Sequence, residues 1–589
     1  MKTLALVLAA LSALIVTTFA RDAHACGCFT PPDPSVPVVQ AGERILFARD
    51  SGNVTAHIQI QYAGDAAEFG WILPLPSVPT LELGTDELFN QLTTQTQPKY
   101  RLTRVFEGDC FSRGGINLGG FGSSGDSAEG GPPQVPGNSG PIVVVQDSIG
   151  PYDYAVLRAH SRVEMLDWLE RNRYFVPAGT DDVVSPYIHD GAYFLALKLR
   201  SGKSVGDLQP VVVKYASDLP MIPIVLTSVA AQPDMGIQVW MLGEGRAIPR
   251  NYFHTVINDA KIDWFTAGAN YNDVIIEATR EAEGRHTFVT EYAGSSQLMR
   301  QLLDAPGRFG SKSELATQTN VFNFVNYLES HGFLTTLNGG SGPFGPIVTQ
   351  SYSSQLTAIL GLYIPVPPAL AERGVTPSQF YGQLDYYLGT YRGQYPEQFI
   401  GYEYDYRPAD MADDLWERVV TPTVEAGALF SKYPYLTRLY TTLSPEQMNR
   451  DPVFSQNTRL ADVNNVHEAT LTIHCGLFGG EDIGKLPATL KTEQGYEFEY
   501  SNGVGTNASP FNPQPLPIDV VMPASSRIEI VGEEGAARVV VDNREAIGDA
   551  LDGGCQAAPA SRTTRGGELL GLLMLALYGM RHALRPRQR

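Results

Sequence analysis

One stretch decides the fold of this chain: Val54-Thr55-Ala56-His57-Ile58-Gln59-Ile60-Gln61-Tyr62. Apolar and polar side chains alternate strictly along it, which predicts a β-strand with one buried face and one solvent-facing face. Further short apolar runs, each bounded by glycine, proline, aspartate or serine, are also typical of strands: residues 193–199, 211–215, 222–227 and 236–242. With one helix expected near residues 163–172, we predict a β-rich, sandwich-like N-terminal domain over residues 26–260.

The period changes to that of a helix further along the chain. Val321, Phe324, Val325 and Leu328 are spaced as one face of a helix, and Gly332 follows where a left-handed C-cap is favoured. Two segments combine a hydroxyl cap, a proline in the first turn and a glutamine that closes a capping box: Thr376-Pro377-Ser378-Gln379 and Ser444-Pro445-Glu446-Gln447. We therefore predict a mainly helical region over residues 261–458.

The period of two returns near the C-terminus. Ala469, Leu471 and Ile473 alternate with polar residues, which predicts another strand. Shorter strands are expected at three further places: near residue 520, at 527–531 and at 537–541. We predict a small C-terminal β region over residues 459–545, followed by a linker over residues 546–566. The expected fold class is therefore α+β.

The composition excludes several classes of protein. With 589 residues, of which 43% are hydrophobic, the chain is too long and too apolar for a disordered tail or a disulfide-stapled miniature domain. Residues 1–25 and 556–589 carry eight of the 43 basic and two of the 63 acidic side chains, so the body between them has a net charge of −26. Such a body repels phosphate backbones and anionic lipid surfaces, and nucleic acid is not expected as a partner.

Residues 1–25 have the order of segments found in a secretory signal peptide. Lys2 precedes the uncharged residues 3–20, and the small-residue pattern Ala23-His24-Ala25 follows. This order predicts export with cleavage after Ala25, and an uncleaved signal anchor is the alternative. A lipoprotein signal is disfavoured, because Ala23 stands where a larger aliphatic residue normally precedes the lipidated cysteine.

The tail at residues 567–589 combines a short apolar run with an arginine cluster. The twelve uncharged residues 569–580 make a helix of about 18 Å, which is short for a hydrocarbon core of about 30 Å. Apolar runs of this kind before terminal arginines resemble the C-terminal sorting tails of Gram-negative bacteria, including the myxobacterial type, and Cys555 is then the candidate processing residue. A single-span membrane anchor with its arginines inside is the other interpretation.

The five cysteines all lie in the part that is expected to be exported, where disulfides form. The disulfide candidates are Cys26, Cys28, Cys110 and Cys475, which leaves Cys555 for the tail. The alternative is that Cys26-Gly27-Cys28 forms a strained, easily reduced redox pair.

No side-chain pattern in the sequence predicts a catalytic residue, a metal site or a cofactor. His57 and the segment around Ser139 loosely resemble parts of a trypsin-like serine protease. However, Ser139 lies in a Gly/Ser/Pro-rich stretch, and His57 is expected on the solvent-facing side of a strand. His467 and His474 fall on opposite faces of the strand predicted around them, so neither makes a zinc site without distant partners.

Two further clusters are interpreted as structural. The acidic residues Asp410, Asp413, Asp414 and Glu417 share one helix face, which favours a solvated surface over calcium binding. Eight tyrosines crowd residues 381–406, where packing in the core is favoured over a sugar-binding surface.

Several short motifs resemble a known family. They are Gly42-Glu43-Arg44-Ile45, Phe69-Gly70-Trp71-Ile72-Leu73-Pro74-Leu75-Pro76, Asp167-Trp168-Leu169 and Tyr215-Ala216-Ser217-Asp218-Leu219-Pro220. Together with Cys26-Gly27-Cys28, they are similar to the secreted bacterial proteins of the family called domain of unknown function 2330. The resemblance is best in the first half of the chain. It implies export and a shared architecture, but no reaction.

We therefore predict an exported envelope protein, at the cell surface or anchored in the membrane, that binds or scaffolds without catalysis. Its partners would be envelope components or an extracellular ligand, with the membrane reached through the tail. The alternative is a secreted hydrolase of polysaccharide or peptide with a dispersed active site, and a pocket with two convergent carboxylates or a Ser–His pair would favour it. An envelope thiol-redox protein is a third possibility.

Overall fold

The computed structural model describes residues 39–63, 70–108, 142–172, 174, 180–200, 208–229, 231–342, 345–475, 485–501, 503–504 and 521–553. Its strands are β1 (Val39–Asp50), β2 (Asn53–Ala63), β3 (Gly70–Leu75), β4 (Thr80–Leu83), β5 (Lys99–Glu107), β6 (Ile142–Ile149), β7 (Tyr152–Arg158), β8 (Tyr193–Leu199), β9 (Val211–Ala216), β10 (Ala231–Gly243), β11 (Arg246–Pro249), β12 (Phe253–Ile257), β13 (Thr287–Ser295), β14 (Thr335–Gly342), β15 (Gly345–Ser351), β16 (Tyr435–Leu443), β17 (Phe454–Asn457), β18 (Val466–His474), β19 (Ala488–Lys491), β20 (Glu497–Tyr500), β21 (Ser525–Ile530) and β22 (Arg538–Asp542).

The helices come mainly from the middle of the chain. They are α1 (Asp86–Thr96), α2 (Arg162–Arg171), α3 (Thr180–Val184), α4 (Ile224–Thr227), α5 (Tyr271–Arg280), α6 (Gln297–Leu303), α7 (Lys312–Leu315), α8 (Val321–Ser330), α9 (Ser354–Gly361), α10 (Pro368–Ala371), α11 (Pro377–Gly382), α12 (Arg392–Gln394), α13 (Pro408–Leu415), α14 (Thr421–Lys432) and α15 (Arg544–Gly553). π-Helical turns at Tyr386–Tyr391 and Trp416–Val420 continue the helical layer.

The described strands form one large mixed sheet and several smaller ones. The large sheet has the order β22-β21-β12-β13-β16-β10-β1-β2-β9-β4, in which β1 runs parallel to β10 and antiparallel to β2. Two four-stranded sheets have the orders β3-β8-β7-β6 and β20-β19-β18-β5. Because β16 follows helices α6–α14 in sequence and lies between β10 and β13, strands from before and after these helices share one sheet.

Four layers position the pocket described below. Ile45 and Phe47 of β1 pack against the sheet β3-β8-β7-β6, so the two sheets form a sandwich with an apolar core. The other face of β1, with Leu46 and Ala48, is covered by α1, α6 and α14. Helix α2 covers the outer face of the smaller sheet, and residues 309–420 have a core of their own.

The α+β fold with a β-rich N-terminal region and helices in the middle is confirmed. Local signals account for much of this agreement: Gly332 follows α8 with a positive φ of 68°, and Thr376 makes the predicted capping box at α11. The Ser444 box is also present, but only a single 3₁₀ turn follows it. Whether the predicted regions are separate domains stays a prediction.

Two expectations about strands are wrong. Residues 222–227 do not form a strand, because Pro223 cannot donate to a β-ladder and the N–H of Val225 is instead capped by Asp451 at 2.9 Å, which favours the short helix α4. His57 does not face water but is 5% exposed, because α1 and its neighbouring helices cover the second face of the large sheet.

No helix within the described residues is both long enough and apolar enough to cross a membrane. The apolar run at residues 569–580, the candidate cleavage position after Ala25 and the candidate processing residue Cys555 lie outside the described residues.

Candidate functional site

A pocket of about 210 Å³ lies between the large sheet and the sheet β3-β8-β7-β6. Its walls are mainly apolar and include Ile45, Phe47, Ile58, Leu73 and Leu75. A cavity of about 150 Å³ is enough to hold a benzene ring. The pocket is therefore large enough for a small cyclic or branched apolar group.

Strand β1 places one carboxylate on the pocket wall. Alternation along β1 turns Glu43 to the same face as Ile45 and Phe47. Glu43 is 5% exposed, and among the described residues its Oε2 has no hydrogen-bond partner. Burial raises the pKa of Glu43 from its ordinary value of 4.5 to about 7. The charge of this group at neutral pH therefore depends on what enters the pocket.

Three other polar side chains on the lining, Tyr187, Ser217 and His189, are hydrogen-bonded within the protein. The Tyr187 hydroxyl donates to the Asp451 carboxylate, whose oxygens lie 2.9 and 2.7 Å away. Ser217 Oγ donates to the Leu219 carbonyl at 2.9 Å, and His189 Nδ1 lies 3.2 Å from the carbonyl of the next residue. Within the described lining, the pocket thus holds a single carboxylate and no Ser–His hydrogen bond, so neither pattern that would favour a hydrolase is found there.

Three of the motifs quoted for the family resemblance converge on this pocket. The first motif supplies Glu43 and Ile45, the second supplies residues 73–76, and the fourth supplies Tyr215, Ser217 and Leu219. The third motif, at residues 167–169, lies in α2, behind the smaller sheet. Three segments that are far apart in sequence therefore line one pocket around the buried Glu43 carboxylate.

A second polar cluster lies where β12, β13 and β21 meet. His254 Nε2 is 3.0 Å from Thr290 Oγ1, and His254 Nδ1 is 3.3 Å from Glu529 Oε2. Arg246 Nη2 donates to Thr290 Oγ1 at 3.0 Å. The hydroxyl, imidazole and carboxylate are therefore ordered as in a nucleophile, a base and the group that orients the base.

Burial limits what this second cluster can do. Thr290 is 9% exposed, and His254 and Glu529 are each 6% exposed. Desolvation lowers the pKa of His254, while the hydrogen bond with His254 lowers the pKa of Glu529. A neutral imidazole can thus accept the threonine proton and donate to the carboxylate, and these bonds tie three strands together.

Of the disulfide candidates, the structure describes only Cys475, which follows β18 and is disulfide-bonded. Its amide donates to the Glu107 carbonyl at the end of β5. Cys26, Cys28, Cys110 and Cys555 lie outside the described residues, so the pairing stays a prediction.

The histidines considered as metal ligands have protein partners. His467 Nδ1 lies 3.1 Å from Glu493 Oε2, and His474 Nδ1 lies 2.8 Å from Glu107 Oε2. Among the described residues, no group of three or more histidine, cysteine, aspartate or glutamate side chains is placed to hold a metal ion. Ser139, the other residue of the serine-protease interpretation, lies outside the described residues, and His57 is buried on the face of the large sheet that the helices cover.

The acidic face of α13 is also partnered. Asp410 pairs with Arg407, and Asp413 pairs with Lys312 at 2.6 Å. Asp414 accepts a hydrogen bond from the Tyr363 hydroxyl at 2.6 Å.

The tyrosine-rich segment divides between core and surface. Tyr381 and Tyr402 are buried in the core of the helical region, whereas Tyr386 and Tyr395 are each 42% exposed. Tyr391 bridges the two groups, with its ring centroid 4.6 Å from that of Tyr395.

Residues 21–319 match the family described as an uncharacterized protein conserved in bacteria, domain of unknown function 2330. The chain belongs to this family. The match spans every residue that lines the pocket, but it ends before Glu529 of the second cluster. Comparison with curated proteins and with solved structures found no match.

Proposed function

We propose that this protein is an exported bacterial envelope protein that binds a small apolar ligand between its two sheets without acting on it chemically. The observation that carries the proposal is the convergence of three family motifs on one apolar pocket. A pocket with one carboxylate and apolar walls suits recognition, because catalysis on a bound molecule needs further positioned groups.

The proposed location rests on the ends of the chain. Residues 1–25 have the segment order of a secretory signal, and the apolar run at 569–580 with its arginines would hold the protein at the membrane or deliver it to the surface. The acidic body makes envelope components or an extracellular ligand better partners than nucleic acid. The intact mass of the protein from its native envelope tests this: a chain from Cys26 to near Cys555 supports a sorting tail, and a chain that keeps residues 569–589 supports an anchor. A protein that keeps residues 1–25 and remains in the cytoplasm would overturn both the sorting-tail and the anchor interpretation.

Binding in the pocket is tested with fluorobenzene, followed by ¹⁹F NMR. Ser217 lines the pocket and is partly exposed, so Ser217→Trp is expected to fill its mouth. Asp218→Trp is the matched control, since the neighbouring Asp218 is exposed and does not line the pocket.

We expect broadening of the fluorobenzene signal by the wild type and by Asp218→Trp, and its loss with Ser217→Trp. An unbroadened signal with the wild type, or equal broadening by all three proteins, would overturn the proposed ligand pocket.

The second candidate function is a secreted hydrolase, and the Thr290–His254–Glu529 arrangement favours it. Hydrolysis of p-nitrophenyl acetate that is abolished in Thr290→Val and restored in Thr290→Ser would support this function. A rate that is equal in the wild type and Thr290→Val would leave the cluster with a purely structural role.

A further inference from the structure

Glu43 differs from the other buried carboxylates of the described residues. The four others each have at least two polar partners: Glu87 with Arg308 and Thr335, Asp259 with Thr492 and Gln494, Glu291 with Arg438 and Tyr271, and Glu529 with His254 and Arg527. Glu43 Oε2 has none within the described chain. A buried carboxylate of this kind is costly unless something pairs with it.

The missing partner has a definite chemistry. Desolvation alone raises the pKa of Glu43, and no charged side chain contributes to the shift. A ligand that carries its own positive charge and N–H donors would stabilise the ionised carboxylate through a charge-assisted hydrogen bond in a low-dielectric site. The remaining walls, with Ile45, Phe47 and Leu73, require the rest of such a ligand to be apolar.

We propose that the pocket selects small ligands that carry a protonated amine on an apolar body, with the amine bonded to the Glu43 carboxylate. This proposal rests on the proposed function, because it assigns a ligand class to the same pocket. The other titratable groups on the lining are Tyr187, Tyr215 and His189. Burial raises the pKa values of both tyrosines, so they stay neutral.

The test compares three probes with the same ring: 4-fluorobenzylamine, 4-fluorobenzyl alcohol and 4-fluorobenzoate. Their dissociation constants are measured by ¹⁹F NMR at pH 8 with wild type, Glu43→Gln and, as a matched control, Asp218→Asn, which removes an exposed carboxylate that does not line the pocket. Because a hydrogen bond to a charged group is roughly twice as strong as a neutral one, we expect wild type and Asp218→Asn to prefer the amine over the alcohol by about tenfold or more. In Glu43→Gln the ratio should fall to about one. The affinity of wild type for the amine should also rise from pH 6 to pH 8 as Glu43 ionises.

The outcomes separate this proposal from the proposed function. Equal binding of amine and alcohol by wild type would overturn amine selection but leave the apolar pocket intact. Tighter binding of alcohol or benzoate, strengthening below pH 7, would mean that a protonated Glu43 acts as a donor, and it too would overturn amine selection. If no probe binds, both proposals fail.

Discussion

Replacing Glu43 by glutamine tests the buried carboxylate without any ligand. The folded chain holds a proton on Glu43 between pH 4.5 and about 7, whereas the unfolded chain releases it near pH 4.5. The stability of the wild type therefore falls through this interval and, for this group, stays level above it. Since one pKa unit corresponds to about 1.36 kcal/mol, the ionised carboxylate costs about 3 kcal/mol at pH 8. Glutamine does not ionise, so Glu43→Gln should gain up to about 3 kcal/mol relative to wild type between pH 4.5 and pH 8.

Urea unfolding, followed by tryptophan fluorescence at pH 5, 6, 7 and 8, measures this difference. Other groups that titrate in the range, such as Asp86, are present in both proteins and cancel. Glu82→Gln is the matched control, because Glu82 is 42% exposed and pairs with Lys214 at the surface, where such a pair contributes at most about 1 kcal/mol. A difference between Glu43→Gln and wild type that stays constant over the pH series would refute the reasoning, since it would mean that the Glu43 carboxylate is solvated or already paired.

Three further predictions concern the rest of the chain. Arg438→Ala should destabilise the protein by about 3–5 kcal/mol in urea unfolding, because it leaves Glu291 buried without its ion pair, and adding Glu291→Gln should recover part of the loss. A chain in which a short Gly/Ser linker replaces residues 309–420 should still broaden the fluorobenzene signal, because those residues have their own core away from the pocket, and loss of binding in a folded deletion variant would contradict this. Non-reducing peptide mapping should join Cys475 to Cys110, because the ends of β5 and β18 are adjacent, and a link to another cysteine would contradict this.

Local signals in the sequence predict local structure well. The alternation of apolar and polar residues near Leu471 correctly predicts β18, in which Ala469, Leu471 and Ile473 are buried. The prediction succeeds because one face of this strand is covered and the other is open. The same alternation at His57 predicts the wrong environment. The polar face of β2 is covered by helices that come from distant segments, and no local pattern reports such a cover.

The pocket could not have been derived from the sequence alone. Glu43 was visible only as part of a family motif, and its chemistry depends on walls supplied by β3 and β9. The Thr290–His254–Glu529 cluster was missed altogether, because His254 and Glu529 are 275 residues apart and meet only through the pairing of β12 with β21. Both sites depend on long-range strand pairing, which residue spacing does not encode.

The topology explains how one chain combines this pocket with a large helical segment. Ser295 at the end of β13 and Tyr435 at the start of β16 are register partners, so residues 296–434 form one connection between adjacent antiparallel strands. The first and last helices of that connection, α6 and α14, pack through Leu303 and Phe430 on the face of the large sheet that carries Leu46, opposite the pocket. The family match at residues 21–319 ends inside this connection, although β16 is still needed to join β10 to β13. None of the residues that line the pocket belongs to this connection, so the helical segment supplies no part of the pocket walls. Three of the four longer family motifs lie on the pocket, and none of them lies in the helical segment.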